Sequence, residues 1–107
     1  MKESAYVVIL ITASSPEEAN KIAEVLLKQR KAACVNIVSN VNSLFWWQHK
    51  IDSAQENLLI VKTRASLLNE IVTLVTESHS YDIPEIIALP IVGGNQDYLK
   101  WIGKEVK

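Results

Sequence analysis

The apolar positions follow two different periods along the chain. Ala5 to Ile11 (AYVVILI) is a continuous β-branched run, the pattern of a strand covered on both faces. Thr12-Ala13-Ser14-Ser15-Pro16 closes it, and the spacing then changes. Ala19, Ile22, Ala23, Leu26 and Leu27 recur at helical intervals, so a helix is predicted from Pro16 to about Arg30. Ser15 with Glu18 fits a capping box, Pro16 suits the first helical position, and Lys28, Arg30 and Lys31 sit favourably at the negative end. Ala33 to Gln48 reads as a long strand interrupted near Ser39-Asn40 or Asn42-Ser43, and Ile51 to Thr63 as its partner. The tight turn between them, Gln48-His49-Lys50, has no glycine, so His49 or a neighbour is expected at positive φ. Ser66 to Ser78 is a second helix with Leu67, Leu68, Ile71, Leu74 and Val75 on one side. Ser80 to Glu85 is a loop, and Ile86 to Val92 a last strand in which Pro90 marks an edge or a bulge. Gly93-Gly94 breaks the chain, and Asn95 caps a short final helix carrying Tyr98, Leu99, Trp101 and Ile102.

The predicted order is β-α-β-β-α-β plus a terminal helix, an α+β sandwich of the ferredoxin-like kind over residues 1–107 as one domain. Its two main helices cover one sheet face only. Yet the first strand, the third strand and the last are all apolar on both faces, more than one short helix can hide. An oligomer whose sheets pack together is therefore expected.

Composition narrows the function classes. Eleven basic residues oppose twelve acidic ones, a net charge of −1, so nothing global favours nucleic acid or anionic lipid. The longest opening apolar run is seven residues, against roughly 18 for a membrane helix. No basic cluster precedes it and no clean cleavage site follows, so a cytoplasmic protein without membrane insertion is expected. A single cysteine, Cys34, excludes an intrachain disulfide framework. No nucleophile–base pair and no cofactor fingerprint is visible, so an enzyme is not expected.

The soft metal ligands are few: Cys34, His49, His79 and Met1, with no pair at short ligand spacing. Cys34 reads either as a small buried hydrophobe or as a thiolate ligand or redox-sensitive group near a subunit cleft. His79-Ser80-Tyr81-Asp82-Ile83-Pro84-Glu85 is dense in His, Tyr, Asp and Glu, either a solvated loop or an edge that takes a divalent cation. Lys62 ends an apolar strand. It is a snorkelling lysine, a partner for Glu56 or Glu85, or an anion-binding group at a cleft. Tyr98 and Trp101 lie three apart on a helix, a spacing commoner in cores than in ligand platforms. Trp46 and Trp47 point to opposite faces of a regular strand, one into the fold's own core and one under a neighbouring subunit.

Six blocks together resemble the CutA family of divalent-cation tolerance proteins. They are Thr12 to Glu18 (TASSPEE), Lys31 to Ile37 (KAACVNI), Ser43 to Ile51 (SLFWWQHKI), Val61 to Arg64 (VKTR), His79 to Pro90 (HSYDIPEIIALP) and Asp97 to Ile102 (DYLKWI). The resemblance implies a homotrimer whose long central strands reach across to neighbours and whose C-terminal helix caps the assembly. It implies a role in the response to divalent metal ions, copper above all, with no obligatory cofactor. Some members bind copper through a Cys late in the first strand and a His-His pair after the second helix. Ile11 and Ser78-His79 stand at those positions here, so the ligands left to a copper ion are His79, Glu85 and Cys34. The family also resembles the trimeric PII signal proteins. That implies an alternative, a signalling or interaction module that contacts a partner protein and binds a small anionic ligand in an inter-subunit cleft. Lys62, Tyr81, Glu56, Tyr98 and Trp101 would line that cleft. Two further departures are His49 where relatives have Gly and Ser80 where they have Pro.

Overall fold

A computed structural model describes residues 4–107, so Met1 lies outside the described residues. The elements are β1 (Tyr6–Ala13), α1 (Pro16–Lys28), β2 (Cys34–Trp47), β3 (Lys50–Arg64), α2 (Leu68–Ser78), β4 (Ile86–Pro90) and α3 (Gln96–Glu105). One antiparallel sheet takes the order β2-β3-β1-β4, which puts β4 with its Pro90 at an edge, as expected.

The core lies between the sheet and the first two helices. Val7, Ile9 and Ile11 of β1 and Leu59 and Val61 of β3 alternate inward. They meet Ala19, Ile22, Ala23 and Leu26 of α1 and Ile71 and Val75 of α2. Each large side chain sealed there contributes about 1.5–3 kcal/mol over leaving it in water.

Several boundaries move by a few residues, for local reasons. Helix α1 stops at Lys28 rather than near Arg30, because Arg30 turns left-handed at φ 59°. Lys31 N–H then bonds Leu26 O at 2.9 Å and Arg30 N–H bonds Leu27 O at 3.1 Å, the paired bonds of a Schellman cap. The second helix begins as a 3-10 turn, Ala65–Leu67, and becomes α-helical only at Leu68. Strand β4 ends at Pro90, two residues short of the expected Val92, and Ile91 adds one last bond to Tyr6 O at 3.0 Å.

The β2–β3 pair carries two irregularities, both at places the sequence marked. Between Val38↔Leu58 and Val41↔Glu56, β2 spends one residue more than β3. That is a bulge at Ser39-Asn40, with Asn40 at φ 60°. At the tip Trp47 pairs with Lys50, so the loop is the two residues Gln48 and His49, at φ 49° and 66°. Two successive positive φ values are the type I′ pattern, which matches strand twist but favours Asn or Gly.

The other face of the sheet is largely bare. Val8 and Leu10 of β1 stand in register with Lys62 and Ile60 of β3 and with Leu89 and Ile87 of β4. Ile87 and Leu89 are each 50% exposed. Helix α3 covers only the Tyr6–Arg64 end. Gly103 gives it that seat: a Cβ there would stand 2.9 Å from the Tyr6 hydroxyl oxygen, and Arg64 Nη2 donates to Gly103 O at 2.6 Å. Beyond the helices the β2–β3 arm exposes Leu44, Trp46, Trp47 and Ile51 at 73%, 73%, 57% and 65%. The radius of gyration, 14.4 Å, exceeds the roughly 13 Å of a rounded domain this long, as a projecting arm requires. The sequence had divided Trp46 and Trp47 between the core and a neighbour. They do take opposite faces, but both lie on the arm and neither enters the core.

A left-handed residue other than glycine costs about 1 kcal/mol. His49→Gly should therefore raise stability by about 0.5–1 kcal/mol, measured by urea unfolding at fixed protein concentration. A loss of stability would show that the imidazole makes a compensating contact.

Candidate functional site

The loop after α2 is tied to the start of α1 through one carboxylate. Ser15 Oγ accepts from Glu18 N–H at 3.1 Å, as a helix N-cap should. The return half of the expected capping box is displaced. Glu18 Oε1 accepts from Ser14 N–H at 2.9 Å and from the Ser14 hydroxyl at 3.0 Å, not from Ser15 N–H. Its other oxygen, Oε2, accepts from Ser80 N–H at 2.8 Å. Burial pushes the Glu18 carboxyl up, but the bonds from Ser14 and Ser80 together outweigh it and hold the pKa at about 2.

His79 ends α2 with its side chain fully sealed. Nε2 stands 2.7 Å from Thr12 O, which can only accept, so Nε2 carries the proton. Nδ1 accepts from Tyr81 N–H at 3.0 Å. Glu18 Oε2 is 4.0 Å from Nδ1, beyond hydrogen-bond reach. Both ring nitrogens are thus committed, and the imidazole offers no free lone pair to a metal. The Tyr81 ring lies 4.9 Å from the His79 ring, and its hydroxyl donates to Glu56 Oε2 at 3.0 Å. Glu56 is 8% exposed. Burial first, then the Glu56 hydrogen bond and the charges of Glu56 and Glu18, push the Tyr81 phenol up to about 12.

A second polar group lies at the opposite end of the sheet. Lys62 Nζ donates to Asn36 Oδ1 at 2.7 Å and stands 6.0 Å from the centroid of the Tyr98 ring. Trp101 leans on Tyr98, with centroids 5.5 Å apart, and both rings are about 40% exposed rather than core. Cys34 pairs directly with Lys62 across β2 and β3, half-buried, with Sγ 3.8 Å from Asn36 Oδ1.

The residues singled out from sequence therefore fall into two groups. Tyr81, Glu56 and His79 are together at one end. Lys62, Tyr98, Trp101 and Cys34 are together at the other. His79 is anchored on Thr12, which pairs with Leu58, four positions along β3 from Lys62 and so roughly 13 Å away. Glu85 is exposed just before β4 and bonds to no described side chain. His79, Glu85 and Cys34 consequently do not form a ligand set within one chain. Among the described residues no group of three His, Cys, Asp or Glu side chains is placed to hold an ion. The cleft expected from Lys62, Tyr81, Glu56, Tyr98 and Trp101 is likewise not a feature of a single chain. Sequence reasoning overlooked Ser14 and Asn36 and the Ser80 bond to Glu18, and it read Glu18 only as a helix cap.

A family model described as "CutA1 divalent ion tolerance protein" matches residues 7–105. This chain belongs to the CutA1 family. It is 46% identical over 99 residues to the divalent-cation tolerance protein CutA of Archaeoglobus fulgidus, covering 92% of this chain and 96% of that one. It is 44% identical over 96 residues to the chloroplastic CutA 1 of rice, covering 90% of this chain but 54% of that one. The chain thus spans about half the length of the curated plant relatives it matches. Its backbone superposes on the solved structure of the divalent cation tolerance protein Cut A1 of Thermus thermophilus with a TM-score of 0.93 at 42% identity, covering 95% of this chain and 99% of that one. The A. fulgidus structure is described as a periplasmic protein. Compartment therefore differs among relatives. Among the described residues no helix of this chain is long and apolar enough to cross a membrane.

Two outcomes follow for the tie at Glu18. Its folded pKa, about 2, lies below the ordinary value of 4.5, so its contribution is complete above pH 4.5 and is lost as pH falls toward 2. Glu18→Gln should lower stability near pH 7 by an amount of order 2 kcal/mol and flatten the acid limb between pH 4.5 and 2, as followed by urea unfolding across pH. Tyr81→Phe removes a donor to a buried carboxylate and should cost about 1.5–3 kcal/mol in the same assay.

Proposed function

We propose that this protein serves divalent-cation tolerance as a ring of three copies, with copper or another divalent cation held weakly where copies meet. The observation that carries the reading is the bare apolar face and arm of a chain that belongs to the CutA1 family. An exposed apolar surface of this extent calls for a protein partner, and a second copy is the partner always present. Within one chain His79 is committed to Thr12 and Tyr81. The ligands left to a shared cation are then Cys34 and Glu85, brought from different copies. A ligand set split in this way binds only after assembly, and it suits a weak, reversible response better than a resident cofactor. No catalytic step is part of the proposal. Its compartment is the cytoplasm, in keeping with one unpaired cysteine, and cell fractionation checks that part.

Sedimentation at micromolar concentration should give about three times the chain mass of 12.0 kDa. A single-chain mass would sink the assembly. Calorimetric titration with copper should show saturable binding that Cys34→Ser weakens at least tenfold and that His79→Ala lowers only through stability. Copper affinity no tighter than millimolar would remove the metal half of the reading and leave the assembly standing.

A further inference from the structure

The bare face of the sheet carries two charges that lack an opposite charge nearby. Lys62 Nζ is satisfied once, by the Asn36 side-chain amide, and no described carboxylate lies within 4.0 Å of it. Glu56 is satisfied once, by the Tyr81 phenol at 3.0 Å, and no described cation lies within 4.0 Å of it. Each neutral partner orients its charge without neutralising it. The two cannot meet inside one chain. They share a face of β3, but six positions separate them, roughly 20 Å along the strand.

Covering this face with protein makes both charges expensive. Lys62, a half-buried residue beside Val8 and Ile60, would lose its ammonium's remaining water, and Glu56, 8% exposed, would lose the rest. An unpaired charge in such a place costs several kcal/mol and is normally met by an opposite one. The bare surface itself supplies the complement, because Lys62 near the end of β3 and Glu56 at its middle put a cation and an anion at the two ends of the apolar stretch between them. A second copy laid head-to-tail along the face brings the cationic end of one chain to the anionic end of the next. Repeated around a ring, that contact closes with every charge used once.

We propose that Lys62 of one copy forms an inter-subunit ion pair with Glu56 of the next, setting the register in which the sheets pack. The pairing rests on the assembly argued above and specifies it. The Asn36 amide and the Tyr81 phenol are its positioning groups, holding each charge in place before the copies meet. A small anion captured by Lys62 is the competing occupant.

Charge reversal separates these outcomes. The dissociation concentration of the assembly would be measured by dilution for wild type, Lys62→Glu, Glu56→Lys and the double variant, with circular dichroism reporting the fold. Each single reversal should raise it at least tenfold, and the double reversal should recover most of that loss. Single variants as tight as wild type would overturn the pair, as would a double variant no tighter than the weaker single. If a reversed chain does not fold, the neutral variants Lys62→Met and Glu56→Gln replace it. Their combined effect should be smaller than the product of the two, and a simple product would overturn the proposal. Inorganic phosphate that tightens wild-type assembly but not Lys62→Met would assign the ammonium to an anion instead. A monomeric wild type would overturn the assembly itself, an outcome distinct from all of these.

Discussion

A four-stranded sheet has two faces, and α1 and α2 pack on the same one. The remaining features of this molecule answer to that imbalance. Helix α3 is too short to serve as a third layer, and it is seated at the Tyr6–Arg64 corner by the close approach that Gly103 allows. The strands were not made polar to compensate. Val8, Leu10, Ile60, Ile87 and Leu89 keep the uncovered side as oily as the covered one. An apolar surface of this extent is costly to leave in water.

The polar groups around the same sheet hold its geometry. Glu18 joins three donors from two chain segments, and His79 spends both nitrogens on backbone groups. These bonds fasten the loop to the end of β1 and bring Tyr81 over Glu56. The chemistry within one chain therefore ends in a phenol–carboxylate pair and, at the far end, an ammonium–amide pair. Both place a charge at the border of a surface that a second molecule would cover.

Most of the element order was legible because apolar period and turn residues agreed. The β-branched run at Ala5–Ile11, the Ser15-Pro16 start of α1 and the Asn95 cap of α3 each rest on local chemistry that no distant contact overrides. The site was less legible because its bonds are long-range. Ser80 N–H meets Glu18 across 62 positions, and His79 meets Thr12 O across 67. A reading by residue type grouped His79, Glu85 and Cys34 as ligands. It could not see that a histidine at a helix end would be consumed by two backbone partners. The resemblance in six blocks supplied family and fold. It could not say which residues a single chain brings together.

The bulge at Asn40 decides what the arm presents. Side chains alternate with a period of two, so one extra residue in β2 exchanges the faces of everything beyond it. Without it, Leu44 and Trp46 would continue the row of Cys34, Asn36 and Val38. With it, Phe45 and Trp47 take that row, in register with Asp52 and Lys50 and beside the Val41–Glu56 pair. Leu44, Trp46 and Ile51 are sent to the side of the helices, past the point where any helix reaches. The arm is therefore apolar on both faces and covered on neither. A partner that touched only the bare face of the sheet would leave Trp46 in water. A molecule that covers the face has to wrap the arm as well, and the proposed ring meets that demand, because in it each chain would insert its arm on one side and receive a neighbour's on the other.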